Sequence, residues 1–201
     1  MADTRMPTQK RSIEKRNRII EKGFELMCEE GFYNTTTPQI AHYAEVSTGI
    51  IYQYFNDKKE IFIEGVKNYT EKIMHPMINT LEIEKFDINN IKEILNNMLD
   101  NSIKSHTISQ KAHEELMAMT HLDSDIGKIF SDAELKTTEK LVELLENNNI
   151  NIKNSREKVH IILGIIDNFC HEVVYHKHSE LDYEKMKSEV INIISNILTA
   201  H

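Results

Sequence analysis

Apolar residues at Ile13, Ile20, Phe24 and Met27, with Lys and Glu between them, follow the period of an amphipathic helix. Gly31 supplies a stop, so a first helix is expected from about Ser12 to Glu30. Thr35-Thr36-Thr37-Pro38 then has the form of a helix opening, hydroxyl first and proline next. Thr37 is the expected cap of a short helix running from Pro38 to about Ala44. A three-residue turn, Glu45-Val46-Ser47, precedes a second short helix from Thr48 to about Phe55. Asp57 followed by Glu60 reads as a cap for a long helix through Phe62, Val66, Tyr69 and Ile73, which Pro76 is expected to kink or end.

Further helices are expected over about 88–105, 109–122, 124–148, 155–177 and 183–199, joined by polar stretches such as 147–149, and period-two alternation is nowhere sustained. Composition agrees: Gly (6), Pro (3) and Trp (0) are scarce over 201 residues, so the turn chemistry of a β-rich chain is missing. The expected fold is all-α, with an N-terminal three-helix domain over residues 1–56 and a larger helical domain over 57–201.

The net charge of −8 hides an asymmetry. Residues 1–22 carry seven basic side chains (Arg5, Lys10, Arg11, Lys15, Arg16, Arg18, Lys22) against Asp3, Glu14 and Glu21, a local +4; from residue 60 onward 15 bases face 24 acids, or −9. A basic head on an acidic body suits phosphate contact confined to one end.

Two short helices joined by a tight turn have the form of a helix-turn-helix. The run from Thr37-Pro38-Gln39-Ile40-Ala41 through Ala44-Glu45-Val46-Ser47-Thr48-Gly49 to Tyr52-Gln53-Tyr54-Phe55-Asn56-Asp57-Lys58 closely resembles the TetR signature. The resemblance covers roughly residues 12–65. It implies a sequence-specific DNA-binding regulator, a repressor released from a palindromic operator by a small apolar or amphipathic inducer.

Physical reasons run beside the resemblance. Ile40, Ala41, Ala44 and Val46 are small enough to let two short helices cross closely, and Gly49 removes a side chain where backbone must approach a groove. Thr48, Tyr52 and Gln53 are the expected base-contacting residues, Gln being suited to adenine and Thr to a thymine methyl. Thr37, Ser47, Tyr54 and Lys58 lie where the family clamps phosphates. Ile50-Ile51 departs from the small or polar residue followed by Leu or Ile common in the family, which touches operator sequence.

The stretch from Val159 to Val174 is apolar nearly all round, so it should face both its own domain and a partner. With Val190, Ile191, Ile194, Ile197 and Leu198 it would build a four-helix interface between two copies, as the resemblance also implies. A ligand cavity is expected among the helices at 58–80, 88–122 and 155–177, where methionines such as Met74, Met77 and Met119 concentrate. Tyr69, Met98, His113, Met117 and Phe169 are the candidates for its wall.

Ten histidines raise the question of zinc or haem, but His171, His176 and His178 lack the four-residue spacing that brings two ligands together on a helix. They are read as surface or pocket-lining residues, and no metal and no cofactor is expected. Cys28 and Cys170 fall within apolar helical patterns and read as packing residues. No catalytic motif is present, so an enzyme is not expected. No apolar run reaches the length of a membrane span and the first twenty residues lack the apolar core of a signal peptide, so a cytoplasmic protein is expected. The competing reading is an architectural DNA-binding protein of the same fold that answers to no small molecule.

Overall fold

The computed structural model describes residues 9–83, 90–106 and 108–199, with backbone alone at 75–77 and 79–83. Asp3 and Arg5 of the basic arm, the first residues of the helix expected from 88, and the side chain of Met77 lie outside the described residues. All regular structure among the described residues is helical: α1 (Lys10–Glu30), α2 (Thr37–Tyr43), α3 (Thr48–Tyr54), α4 (Lys58–Ile83), α5 (Ile91–Ser105), α6 (Gln110–Leu122), α7 (Ser124–Asn147), α8 (Ser155–Val174) and α9 (Tyr183–Thr199). The chain forms two compact units, residues 1–70 with 108–130, and residues 71–107 with 131–201. The first takes in residues 9–56 of the expected head and, with them, residues 57–70 and 108–130.

In the first unit α1 buries Ile19, Ile20, Met27 and Cys28 and ends at Gly31, whose φ of 96° favours a residue without Cβ. Phe32 and Phe24 both pack against Phe62 of α4, with ring centroids 5.2 and 5.4 Å away. Thr36, and not the expected Thr37, caps α2. Its N–H and hydroxyl both donate to Gln39 Oε1, at 2.8 and 2.7 Å, so the glutamine three residues on selects among adjacent threonines. The expected cap of α4 is present: the Glu60 N–H donates to Asp57 Oδ1 at 2.9 Å, and the Glu60 carboxylate accepts from the Asn56 N–H at 2.7 Å.

The segment 108–130, with α6 and the start of α7, belongs to this unit through polar ties as well as packing. The Phe32 N–H donates to Glu115 Oε1 at 2.7 Å, the Ser109 hydroxyl donates to Glu29 at 2.6 Å, and Lys59 pairs with Asp123 and Asp125 at 2.9 and 2.8 Å. Leu116 and Met119 of α6 are buried.

In the second unit α5, α7, α8 and α9 share one apolar core, with Leu95, Met98, Leu99, Leu141, Ile162, Ile166, Phe169 and Ile194 among its members. Two expectations are corrected here. The helix α4 does not end at Pro76 and continues to Ile83. The helix α8 stops at Val174, three residues short, where Tyr175 caps it before the exposed polar run His176-Lys177-His178.

Candidate nucleic-acid interface and ligand-side residues

Ile40 and Ala41 of α2, Ala44 at its end, Ile51 of α3 and Phe55 at its end are buried, and the small Ala41 and Ala44 let the two seven-residue helices cross. The turn between them places Glu45 at a φ of 54°, in the left-handed region, and the Val46 N–H donates to the Ala41 carbonyl at 2.9 Å. Arg18 of α1 reaches the Glu45 carbonyl at 3.5 Å. With Ile51 as the inward anchor, the opposite face of α3 turns outward.

That outward face holds Gly49, Tyr52 and Gln53, all exposed, Tyr52 to 51%. A Cβ added at Gly49 would meet no atom within 4 Å, so the helix presents bare backbone there. Thr48, Ile50 and Tyr54 are half-buried at its edges. Ser47 is exposed at the start of α3, and its hydroxyl makes no capping bond. Thr37 is half-buried in the first turn of α2, next to the exposed Thr36, a hydroxyl the sequence reading passed over. Its signal was present, as Thr36-x-x-Gln39 is a capping-box spacing.

Lys58 has a different setting from the other seven. Its Nζ donates to the Phe32 carbonyl at 2.6 Å and the Thr35 carbonyl at 2.8 Å, and it stands 4.6 Å from the Phe32 ring centroid. Burial holds its pKa below the usual lysine range. Two of its three N–H bonds are thus engaged on the α1–α2 connection, leaving one for a phosphate. Other cations of the head are similarly occupied. Arg16 pairs with Glu64 at 2.7 Å and lies over the Phe55 ring, and Lys22 pairs with Glu25 at 2.8 Å. Lys10, Arg11 and Arg18 are exposed along α1.

The five expected ligand-wall residues divide between the units. Tyr69 and His113 are buried and Met117 is half-buried in the first; Met98 and Phe169 are buried in the core of the second. Met98 lines an apolar cavity of about 40 Å³ with Ile91, Leu95, Leu141, Ile162 and Ile194. A second cavity of about 80 Å³ is lined by Met74, Glu134, His160, Leu163, Gly164 and Asp167. Burial, and then the neighbouring Asp167, push the Glu134 carboxyl up from the usual range. The cysteines are buried thiols, as expected for packing residues, with burial pushing Cys170 up to about 12. Among the described residues no helix is long and apolar enough to cross a membrane.

Residues 19–64 match the sequence profile described as bacterial regulatory proteins, tetR family. Over 55 residues the chain is 51% identical to the HTH-type transcriptional regulator HbdR of Aromatoleum sp. (strain CIB), covering 27% of this chain and 24% of that one. It is 34% identical over 67 residues to the HTH-type transcriptional regulator BetI of Escherichia coli, covering 33% of this chain and 34% of BetI. The matched part thus spans about a quarter to a third of the curated relatives' length. In fold the likeness runs further. A Mesorhizobium loti protein described as a TetR-family regulator superposes with a TM-score of 0.73 over 94% of this chain and 98% of its own, at 16% identity. A transcriptional regulator of Saccharomonospora viridis crystallised in complex with choline superposes with a TM-score of 0.67 over 90% and 96%, also at 16% identity.

Proposed function

From the match of residues 19–64 to the profile described as bacterial regulatory proteins, tetR family, we propose that the chain is a sequence-specific, homodimeric transcriptional repressor that leaves a palindromic operator when it takes up a small apolar or amphipathic molecule. The observation that carries the reading is the outward face of α3, where the unobstructed backbone at Gly49 stands beside exposed Tyr52 and Gln53. Tyr52, Gln53 and Thr48 touch base edges. Thr37, Ser47, Tyr54 and Lys58 hold phosphates and set the register without choosing sequence.

The inducer acts through the second unit. Cavities of about 40 and 80 Å³ fall well below the roughly 300–1,000 Å³ of a formed small-molecule site. A ligand entering beside Met98 must therefore open the core around it, and this makes binding favour a different conformation from the empty one. Flexible Met98 is suited to such repacking. The S. viridis regulator's complex with choline, a small organic cation, supports a small-molecule ligand for a protein of this fold. The helix α4 runs unbroken from Lys58 to Ile83, so it is the covalent lever between the unit that takes the ligand and the head.

The test is reciprocity. Operator sites are obtained by genomic footprinting with the purified chain, and an inducer by thermal-shift screening against it. Expected is a ligand that weakens operator binding roughly 5–150-fold and is itself bound more weakly, by the same factor, in the operator complex. Equal ligand affinity in the free and DNA-bound forms would overturn ligand-gated release, and an absence of footprints would overturn the DNA-reading assignment.

A further inference from the structure

One cluster of side chains in the second unit takes no part in the DNA-reading face or in the ligand site beside Met98. His106, at the end of α5, is 7% exposed, yet its Nε2 is buried without a hydrogen-bond partner. Its Nδ1 lies 2.8 Å from the Ser102 carbonyl. A carbonyl only accepts, so the neutral ring carries its proton on Nδ1 and keeps a lone pair on Nε2. An unsatisfied acceptor in a dry interior is costly and invites a partner.

The partner site is furnished from α8. His171 packs edge-on to His106, with ring centroids 5.2 Å apart and planes at 87°. Asp167, one turn earlier on the same helix, brings its carboxylate to 3.5 Å from His171 Nδ1. One donor atom from each of His106, Asp167 and His171 lies within 4.8 Å of the others. Tyr175 closes one side, its ring 6.0 Å from His106 and 5.9 Å from His171.

We propose that His106, Asp167 and His171 form a binding site for a divalent transition-metal ion of the zinc class. Two imidazoles and one carboxylate match the three-ligand zinc site whose fourth position is left to water or a ligand atom. They do not match magnesium or calcium, which require mostly oxygen donors. The Ser102 carbonyl fixes the tautomer and orientation of His106 from behind, as the outer partners of metal-bound histidines do. Closing from 4.8 Å to the separation of two donors on one ion, roughly 3.3 Å from zinc bond lengths, is a small movement. Asp167 and His171 can make it, with side chains 42% and 24% exposed. Asp167 also borders the cavity of about 80 Å³ with Glu134 and His160. Occupied, the site pins the end of α5 to α8 within the second unit, so the metal becomes an effector in its own right.

The experiment uses the full chain, freed of metal by dialysis against chelator and titrated with zinc in competition with a chromophoric chelator. Its failure leaves the DNA-reading assignment untouched. Expected is one zinc per chain, with affinity reduced at least tenfold in Asp167→Asn and at least a hundredfold in His106→Gln, and unchanged in His178→Gln. Cobalt should give the intense visible absorption of a four-coordinate site, lost in both weakened variants. Zinc at about 100 times its Kd should raise the wild-type Tm by roughly 5–10 °C. Asp167→Asn replaces a partly exposed, isosteric side chain, so it decides the matter if His106→Gln folds poorly. Less than half an equivalent of zinc bound, or equal affinity in wild type and Asp167→Asn, would overturn the site.

Discussion

At Gly49 the surface of the free protein and the needs of a DNA complex can be separated by a single methyl group. An added Cβ there touches nothing within 4 Å, and alanine is the better helix former, so Gly49→Ala should leave Tm unchanged or slightly higher. Against DNA the same methyl lies between the helix and the groove, and operator affinity should fall at least tenfold by fluorescence anisotropy at fixed salt. An undiminished affinity would remove Gly49 from the interface. Lys58 offers the opposite case, because its ammonium is bonded to the Phe32 and Thr35 carbonyls before any phosphate arrives. Lys58→Ala should therefore lower stability by about 1–3 kcal/mol, the worth of hydrogen bonds to a charged group. If its third N–H holds a phosphate, the slope of log affinity against log salt also falls by about one for every operator sequence. A loss of stability with the slope intact would make Lys58 a residue that positions the α1–α2 connection. Both residues were legible in the sequence as members of a motif. The carbonyl partners of Lys58 were not, since residues 26 and 23 positions away meet it only once α1, α2 and α4 have packed.

The helices as units were read closely because their periodicity and caps are local properties. The starts of α3, α7, α8 and α9 and the cap of α4 follow from hydroxyl, Asp and Asn residues ahead of apolar rhythm. Local pattern falls short where a distant contact decides or where two local signals compete. Three threonines before Pro38 offered three caps, and Gln39 chose Thr36. Pro76 offers a kink or a stop, and of these the stop does not occur, since α4 runs on to Ile83. Spacing among the histidines misses His171's nearer partner, because Asp167 stands four residues before it, the spacing that places two side chains on one helix face. Its other neighbour, His106, is 65 positions away and could not be inferred from spacing. Helix packing also explains a residue that drew no attention in the sequence. Gly65 of α4 lies so close to α1 that an added Cβ would fall 2.5 Å from both Cβ and Cγ of Phe24. Those atoms are the root of a side chain and cannot swing aside. Gly65→Ala should cost about 1–3 kcal/mol through overpacking, read as a lower urea midpoint with an unchanged m-value. A neutral result would mean that α1 and α4 can separate without loss.

For the molecule as a whole, the proposed repressor needs a surface that pairs two copies, because α3, with seven residues, spans too few base pairs to specify an operator alone. Paired heads about 34–36 Å apart would read two half-sites on one face of the duplex. In sequence, α8 and α9 looked apolar enough to serve both a core and a partner, and Ile194 belonged to the expected interface. It is fully buried within its own unit, because core and interface ask for the same residue types and periodicity does not separate them. The apolar residues left outside are Ile161 of α8, 56% exposed, and Ile193 of α9, 47% exposed. Each is followed one turn later by a half-buried isoleucine, Ile165 and Ile197. A contrast between two substitutions then distinguishes folding from association. Ile194→Glu places a charge in the core of the second unit and should collapse the helical circular-dichroism signal on mild heating. Ile161→Glu combined with Ile193→Glu changes exposed positions and should keep the helical signal while light scattering reports about 23.5 kDa, the mass of one chain. Because both half-sites must be held together, that monomer should bind the operator on the order of 10²–10⁴ times more weakly, while its affinity for random DNA, set by phosphate contacts, changes far less. A double variant that remains dimeric at micromolar concentration would move the interface off these two helices.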